Sequence, residues 1–108
     1  ARLAAVFAQV AAAVRSLDAD PTAPAYDESA IRLAAWMQAE IIGVHPFEDG
    51  NGRTTRLLTD WLLIRLGLRP IPIEAVKDEY NACLNTYFRT RNLQPLVDLL
   101  IGLYPLDD

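Results

Sequence analysis

The chain predicts an all-α fold, and three observations carry the prediction. Apolar residues recur at the 3.6-residue spacing of a helix through most of its 108 residues. No apolar-polar alternation is long enough to demand a β-strand. Stretches holding Pro21, Pro24, Pro46, Pro70 and Pro72 separate the periodic segments, as breaks between helices should. A compact domain of about five helices is expected.

Taken in order, Leu3, Val6, Phe7, Val10, Val14 and Leu17 form an apolar stripe, with alanines between them, so residues 1–17 read as an amphipathic helix. Asp18 to Asp27 is a connecting loop, and Asp27 or Ser29 is a candidate cap for the next helix. From Ile31 to Ile42 the pattern is apolar nearly all round, through Leu33, Ala34, Ala35, Trp36, Met37 and Ile41. Such a helix belongs at the centre of the fold. It should end near Gly43, because the residue before Pro46 disfavours the α region.

A third helix is expected to start near Asn51 and run through Leu57, Leu58, Trp61, Leu62, Ile64 and Leu66, with Gly67 as its C-terminal cap. Leu68 to Pro72 reads as a turn, residues 73–90 as one helix through Val76, Tyr80, Leu84, Tyr87 and Phe88, and Leu96 to Leu103 as a short last helix. Trp36 and Trp61 lie on apolar stripes and are expected in the core. The loop from His45 to Gly50 would thus sit between two buried helices.

Length and composition bound the function. At 12.0 kDa the chain suits one domain, 1–108, large enough to bury a core. It starts inside a helical pattern, and we expect it to be the core of a longer chain. Ten Lys and Arg against 14 Asp and Glu give a net charge of −4, which disfavours a nucleic-acid partner held by bulk electrostatics. Apolar residues reach 52%, yet no run approaches a membrane span, so neither nucleic acid nor membrane is an expected partner. Cys83 is the sole cysteine, which leaves no disulfide framework and fits a reducing compartment; its spacing among Tyr80, Leu84 and Tyr87 assigns it to buried packing.

The stretch His45-Pro-Phe-Glu-Asp-Gly-Asn-Gly-Arg-Thr-Thr-Arg56 carries the chemistry. Gly50 and Gly52 let the backbone approach an anion, and the free amides of a helix start there would point at it, helped by the positive end of the helix dipole. Arg53 and Arg56, three residues apart, share one face of the first helical turns and can reach one polyanion. His45, neutral near physiological pH, can take a proton from a hydroxyl; the competing reading is a histidine that only caps the preceding helix. Asp49 offers a hard oxygen suited to Mg²⁺ between phosphates.

These residues match, with no position missing, the pattern His-x-Phe-x-(Asp/Glu)-Gly-Asn-Gly-Arg-x-x-Arg, and the chain resembles the Fic (filamentation induced by cAMP) domain family. The resemblance implies transfer of a nucleoside monophosphate, usually AMP from ATP as co-substrate, to a Ser, Thr or Tyr hydroxyl of a target protein, with pyrophosphate leaving. It implies His45 as general base, Asp49 as the Mg²⁺ ligand, and Gly50, Asn51 and Gly52 as an anion hole. Arg53 and Arg56 would neutralise the outer phosphates, Arg56 at the γ-phosphate, and Phe47 would point into the core. A cytoplasmic location, or delivery into a host cytosol as an effector, is expected.

Two departures bear on the base. Where the family often has Gly-x-Pro-Pro this chain has Gly67-Leu68-Arg69-Pro70, and where it has Asn-x-Gly-Asp this chain has Arg89-Thr90-Arg91-Asn92. Gly52, in place of a lysine, is unlike the kinase-like Doc branch; transfer of UMP, GMP or phosphocholine stays open. The family's inhibitory pattern, Ser/Thr-x-x-x-Glu then Gly or Asn, is not found; its nearest approach, Ser16 to Asp20, ends in the wrong acid before a proline. An inhibitory segment and a target-registering hairpin are therefore expected outside these residues, upstream or on a separate protein. The alternative is a nucleotide-binding or helical interaction module without transferase activity.

Overall fold

The computed structural model describes residues 2–44 and 51–104, and only the backbone at 44 and 51–53. Among the described residues five α-helices and one 3₁₀ turn follow one another: α1 (Arg2–Ala19), α2 (Tyr26–Val44), α3 (Asn51–Arg65), the 3₁₀ turn (Ile73–Val76), α4 (Lys77–Thr90) and α5 (Gln94–Leu103). No strand lies among the described residues. The all-α expectation holds.

Helix α2 is the hub, packing against α1, α3, α4 and α5. Its apolar residues make this possible: Ala30, Ile31, Ala34, Ala35, Met37, Ala39 and Ile41 are buried around most of its circumference. The small alanines let neighbouring helices approach closely, and Met37 fills the space left over. Val6 and Val10 seat α1, Leu62, Leu63 and Leu66 seat α3, and Leu96, Val97 and Leu100 seat α5.

Helix ends follow local chemistry. Gly67, at φ 85°, ends α3 in a Schellman arrangement: its N-H donates to Ile64 O at 3.0 Å and the Leu68 N-H donates to Leu63 O at 2.8 Å. The Tyr26 hydroxyl donates to Leu66 O at 2.8 Å, and Arg65 pairs with Asp18 at 2.6 Å, so the starts and ends of α1, α2 and α3 are tied together. Helix α4 ends at Arg91, whose φ of 61° is left-handed and whose N-H donates to Tyr87 O at 2.7 Å.

Several boundaries correct the sequence reading. Helix α2 begins at Tyr26, so Asp27 lies in its first turn rather than before it, and the Ser29 N-H donates to Ala25 O at 2.9 Å. The helix also runs through Gly43 to Val44. Residues 73–90 are not one helix: Val76, at φ −131° and ψ 40°, breaks the 3₁₀ turn from α4. Helix α5 starts at Gln94, with Pro95 in its first turn, where a missing N-H costs nothing.

The larger correction concerns α3, which is buried along one stripe only. Thr55, Thr59, Leu62, Leu63 and Leu66 face the core, while Leu57, Trp61 and Ile64 are 65%, 61% and 59% exposed. Trp61 is therefore a surface residue, although Trp36 packs against the core as expected. Thr59 can be buried because its hydroxyl finds a local partner, donating to Thr55 O at 2.9 Å. Cys83 is half-buried against the core, and burial, with Glu79 nearby, pushes its thiol up and away from thiolate reactivity.

Candidate active site

The backbone of the motif's second half is helical from Asn51, so the glycine-bearing stretch feeds directly into the N-terminus of α3. Helix geometry leaves the N-H groups of Asn51, Gly52 and Arg53 without intrahelical carbonyls, and the helix dipole puts positive potential there. His45, Phe47, Glu48, Asp49 and Gly50 lie outside the described residues. Among the site residues expected from sequence, Asn51, Gly52 and Arg53 are placed as backbone and Arg56 with its side chain. Positions 53 and 56 fall on one helical face by register.

Arg56 reaches out from α3 to form an ion pair with Glu74 of the 3₁₀ turn. Asp60, one turn further along α3, stands close enough for the guanidinium to act on its carboxyl. Burial raises the Asp60 pKa and Arg56 opposes that rise. The arginine also acts on Tyr80 of α4, whose hydroxyl burial pushes far above its ordinary range. Arg56, Leu57, Asp60, Ile71, Pro72, Ile73 and Glu74 line a cleft of about 190 Å³.

Glu74 is aimed at Arg56 by an inverse γ-turn. Pro72, at φ −79° and ψ 69°, lets the Ile73 N-H donate to Ile71 O at 2.8 Å. Both isoleucines are buried, which fixes this turn against the core and leaves the next residue, Glu74, at the cleft rim. Sequence reasoning missed Glu74 and Asp60. The spacing of Arg56 and Asp60 was a usable signal, since residues four apart meet on a helix, but nothing local ties Glu74 to α3.

Between α2 and α4, polar side chains are buried in pairs. The Tyr80 hydroxyl donates to Gln38 Oε1 at 2.6 Å, and Gln38 Nε2 has no partner among the described residues. The Tyr87 hydroxyl donates to Glu40 Oε2 at 2.8 Å, and Arg91 Nη2 donates to the same oxygen at 3.0 Å. Burial first, then its bond to Glu40, pushes the Tyr87 hydroxyl up to about 12. No group of three or more His, Cys, Asp and Glu able to hold a metal lies among the described residues, and Asp49 is not one of these.

Fold and motif together define an all-α domain built on a glycine-bearing helix start with an arginine in each of the first two turns. The profile of the Fic/DOC family matches residues 1–63, more than half of the chain, and the chain belongs to that family. A Fido domain-containing protein of Dictyostelium discoideum is 41% identical over 58 residues, covering 53% of this chain and 41% of that protein. A uridine 5'-monophosphate transferase of Xanthomonas campestris pv. campestris is 50% identical over 42 residues, which cover 39% of this chain and 8% of the transferase. A protein adenylyltransferase Fic of Culex quinquefasciatus is 48% identical over 44 residues, 41% of this chain and 9% of its own length. The chain thus spans less than half the length of these relatives. No solved structure matches it.

Among the described residues no helix is long and apolar enough to cross a membrane. Arg91 is the one non-glycine residue at positive φ among those described, and it contacts Glu40 and the ring of Tyr87.

Proposed function

We propose that this domain transfers a nucleoside monophosphate, AMP from ATP in the first instance, to a Ser, Thr or Tyr hydroxyl of a target protein. The observation that carries the reading is the start of α3 at Asn51: a complete motif runs straight into a helix N-terminus, with Arg56 one turn further at a cleft. Relatives named protein adenylyltransferase and uridine 5'-monophosphate transferase support nucleotide transfer, and they differ in nucleobase. UMP transfer is therefore the second reading.

In this proposal the acceptor oxygen attacks the α-phosphorus, the bond from that phosphorus to the bridging oxygen of the β-phosphate breaks, and pyrophosphate leaves. His45 takes the acceptor's proton as the new bond forms. Gly50, Asn51 and Gly52 supply backbone amides to the inner phosphates, while Arg53 and Arg56 offset the charge of the outer ones. A single carboxylate beside phosphate oxygens suits Mg²⁺, which keeps several of its waters, and Asp49 is the residue that would hold it. Mg²⁺ would stabilise the charge of the leaving pyrophosphate. The proposed setting is a cytosol, the producing cell's or a host's, with inhibition supplied by a segment or protein outside these residues.

The test is incubation with Mg²⁺ and ATP or UTP, followed by mass spectrometry of the chain and of lysate proteins. The reading expects an adduct of one nucleoside monophosphate, and the nucleotide that gives it identifies the base. Nucleotide binding without any adduct would favour a binding module.

A further inference from the structure

We propose that the outer face of α3 is a docking surface for an amphipathic helix of a partner protein, one that carries a Lys or Arg beside its own apolar stripe. The surface does not depend on the nucleotide reading.

Helical register sets the face. Thr55, Thr59, Leu62, Leu63 and Leu66 turn one side of α3 to the core, so Leu57, Trp61 and Ile64 are carried together on the opposite side, each more than half exposed. Side chains of this size leave on the order of 400 Å² of apolar surface in water, an area at which exposed patches mark interaction sites. A ridge one helix wide and about two turns long suits the apolar face of another helix.

Asp60 identifies the partner. It lies three residues after Leu57 and four before Ile64, on the edge of the same stripe, and makes no hydrogen bond or ion pair among the described residues. The neighbouring Arg56 lowers its pKa through charge alone and pairs with Glu74 instead, while burial raises it, so this carboxylate is drawn partly out of water without a direct partner. A Lys or Arg on a docked helix supplies one. A second copy fits worse: two α3 helices packed antiparallel through Trp61, the arrangement their dipoles favour, would bring both Asp60 carboxylates to the same side of the contact. Like charges there oppose self-association. The patch is about half of the ~800 Å² that one side of a standard interface buries, so the contact is weak, with a Kd on the order of 10 to 100 μM.

The probe is a fluorescein-labelled amphipathic peptide of about 18 residues with leucines at helical spacing and one Lys beside them, together with a sister peptide bearing Glu in its place. Fluorescence anisotropy follows their binding to the parent chain, Trp61→Ser and Asp60→Asn, with circular dichroism as the check on folding. Sedimentation velocity of the unmixed chain tests for a second copy.

The parent should bind the Lys peptide in that range and the Glu peptide about fivefold more weakly. Asp60→Asn should bind the two equally, and Trp61→Ser should weaken both at least about tenfold. Absence of binding to the Lys peptide, a preference for Lys that survives Asp60→Asn, or unchanged affinity in Trp61→Ser would each overturn the proposal. A dimer of the parent that Trp61→Ser dissolves would give the face to a second copy and overturn it as well.

Discussion

Arg91 donates to Glu40 at 3.0 Å from a left-handed backbone position, so a residue with a costly φ of 61° is held by a nearly buried carboxylate. The guanidinium also lies 4.4 Å from the centre of the Tyr87 ring, which adds a cation-π contact. Two changes at this position separate strain from contact. Arg91→Gly relieves the left-handed conformation while losing the contacts, and its net effect should be within about 1 kcal/mol. Arg91→Ala keeps the strain and loses the contacts as well. It should be the less stable variant in urea denaturation, and the reverse order would refute this balance.

Glu40→Ala should cost more than Arg91→Ala. Arg91 is largely solvated and can stay in water, but the Tyr87 hydroxyl would be left buried without its acceptor. Losing that charge-assisted bond costs about 2 kcal/mol. Chemical denaturation of the two variants checks the order.

Alkaline pH should destabilise the fold. Folding raises the Tyr87 hydroxyl from its ordinary 10.0 to about 12, chiefly by burial and next by its bond to Glu40. Between these values the unfolded chain has lost the proton and the folded chain has kept it. Stability is therefore full below pH 10 and falls as pH rises through 12. Tyr80, also raised by burial, acts in the same direction. Unfolding free energy measured from pH 8 to 12 should decline above pH 10, and Tyr87→Phe should make the decline shallower.

On α3, Trp61→Ser should change stability by no more than about 0.5 kcal/mol, whereas Leu62→Ala should cost about 2–5 kcal/mol. Adjacent residues differ because Trp61 is exposed and Leu62 is fully buried. Urea midpoints with unchanged slopes test the contrast.

That helix shows what sequence could and could not reveal. In α1 and α2 the apolar residues mark most of the buried face, so period largely places them, although Phe7 of the α1 stripe is 40% exposed. In α3 apolar residues occur on every side, and the buried stripe passes through Thr55 and Thr59, which look polar on paper. Burial of a threonine whose hydroxyl bonds to its own helix leaves no apolar signal. The start of α3 was legible because Gly50 and Gly52 bracket it, and its end because Gly67 takes the left-handed cap. The break at Val76 was not legible: it depends on Ile71 and Ile73 finding the core, a tertiary demand. At the site, the arginine spacing was readable from local order, but the partnership of Arg56 with Glu74, 18 residues later, was not.

Asp49→Ala should weaken Mg²⁺-dependent ATP binding and abolish transfer, while Glu48→Ala should be mild, because the proposal gives the metal to Asp49 alone. ATP titrations with and without Mg²⁺ compare them. Equal damage from both would mean that the two carboxylates share the metal.

Transfer of a nucleoside monophosphate with His45 as base moves the α-phosphorus of the nucleotide, so the position of the transferred phosphorus distinguishes it from other phosphate chemistry. Parent chain and His45→Ala are incubated with Mg²⁺, a lysate, and ATP labelled on either the α- or the γ-phosphorus. Over the label bound with lysate alone, the parent chain should add protein-bound label from the α-position only, reduced about 10²- to 10⁴-fold in His45→Ala. γ-label added by the chain above lysate alone, or α-label in His45→Ala within a few fold of the parent, would contradict it.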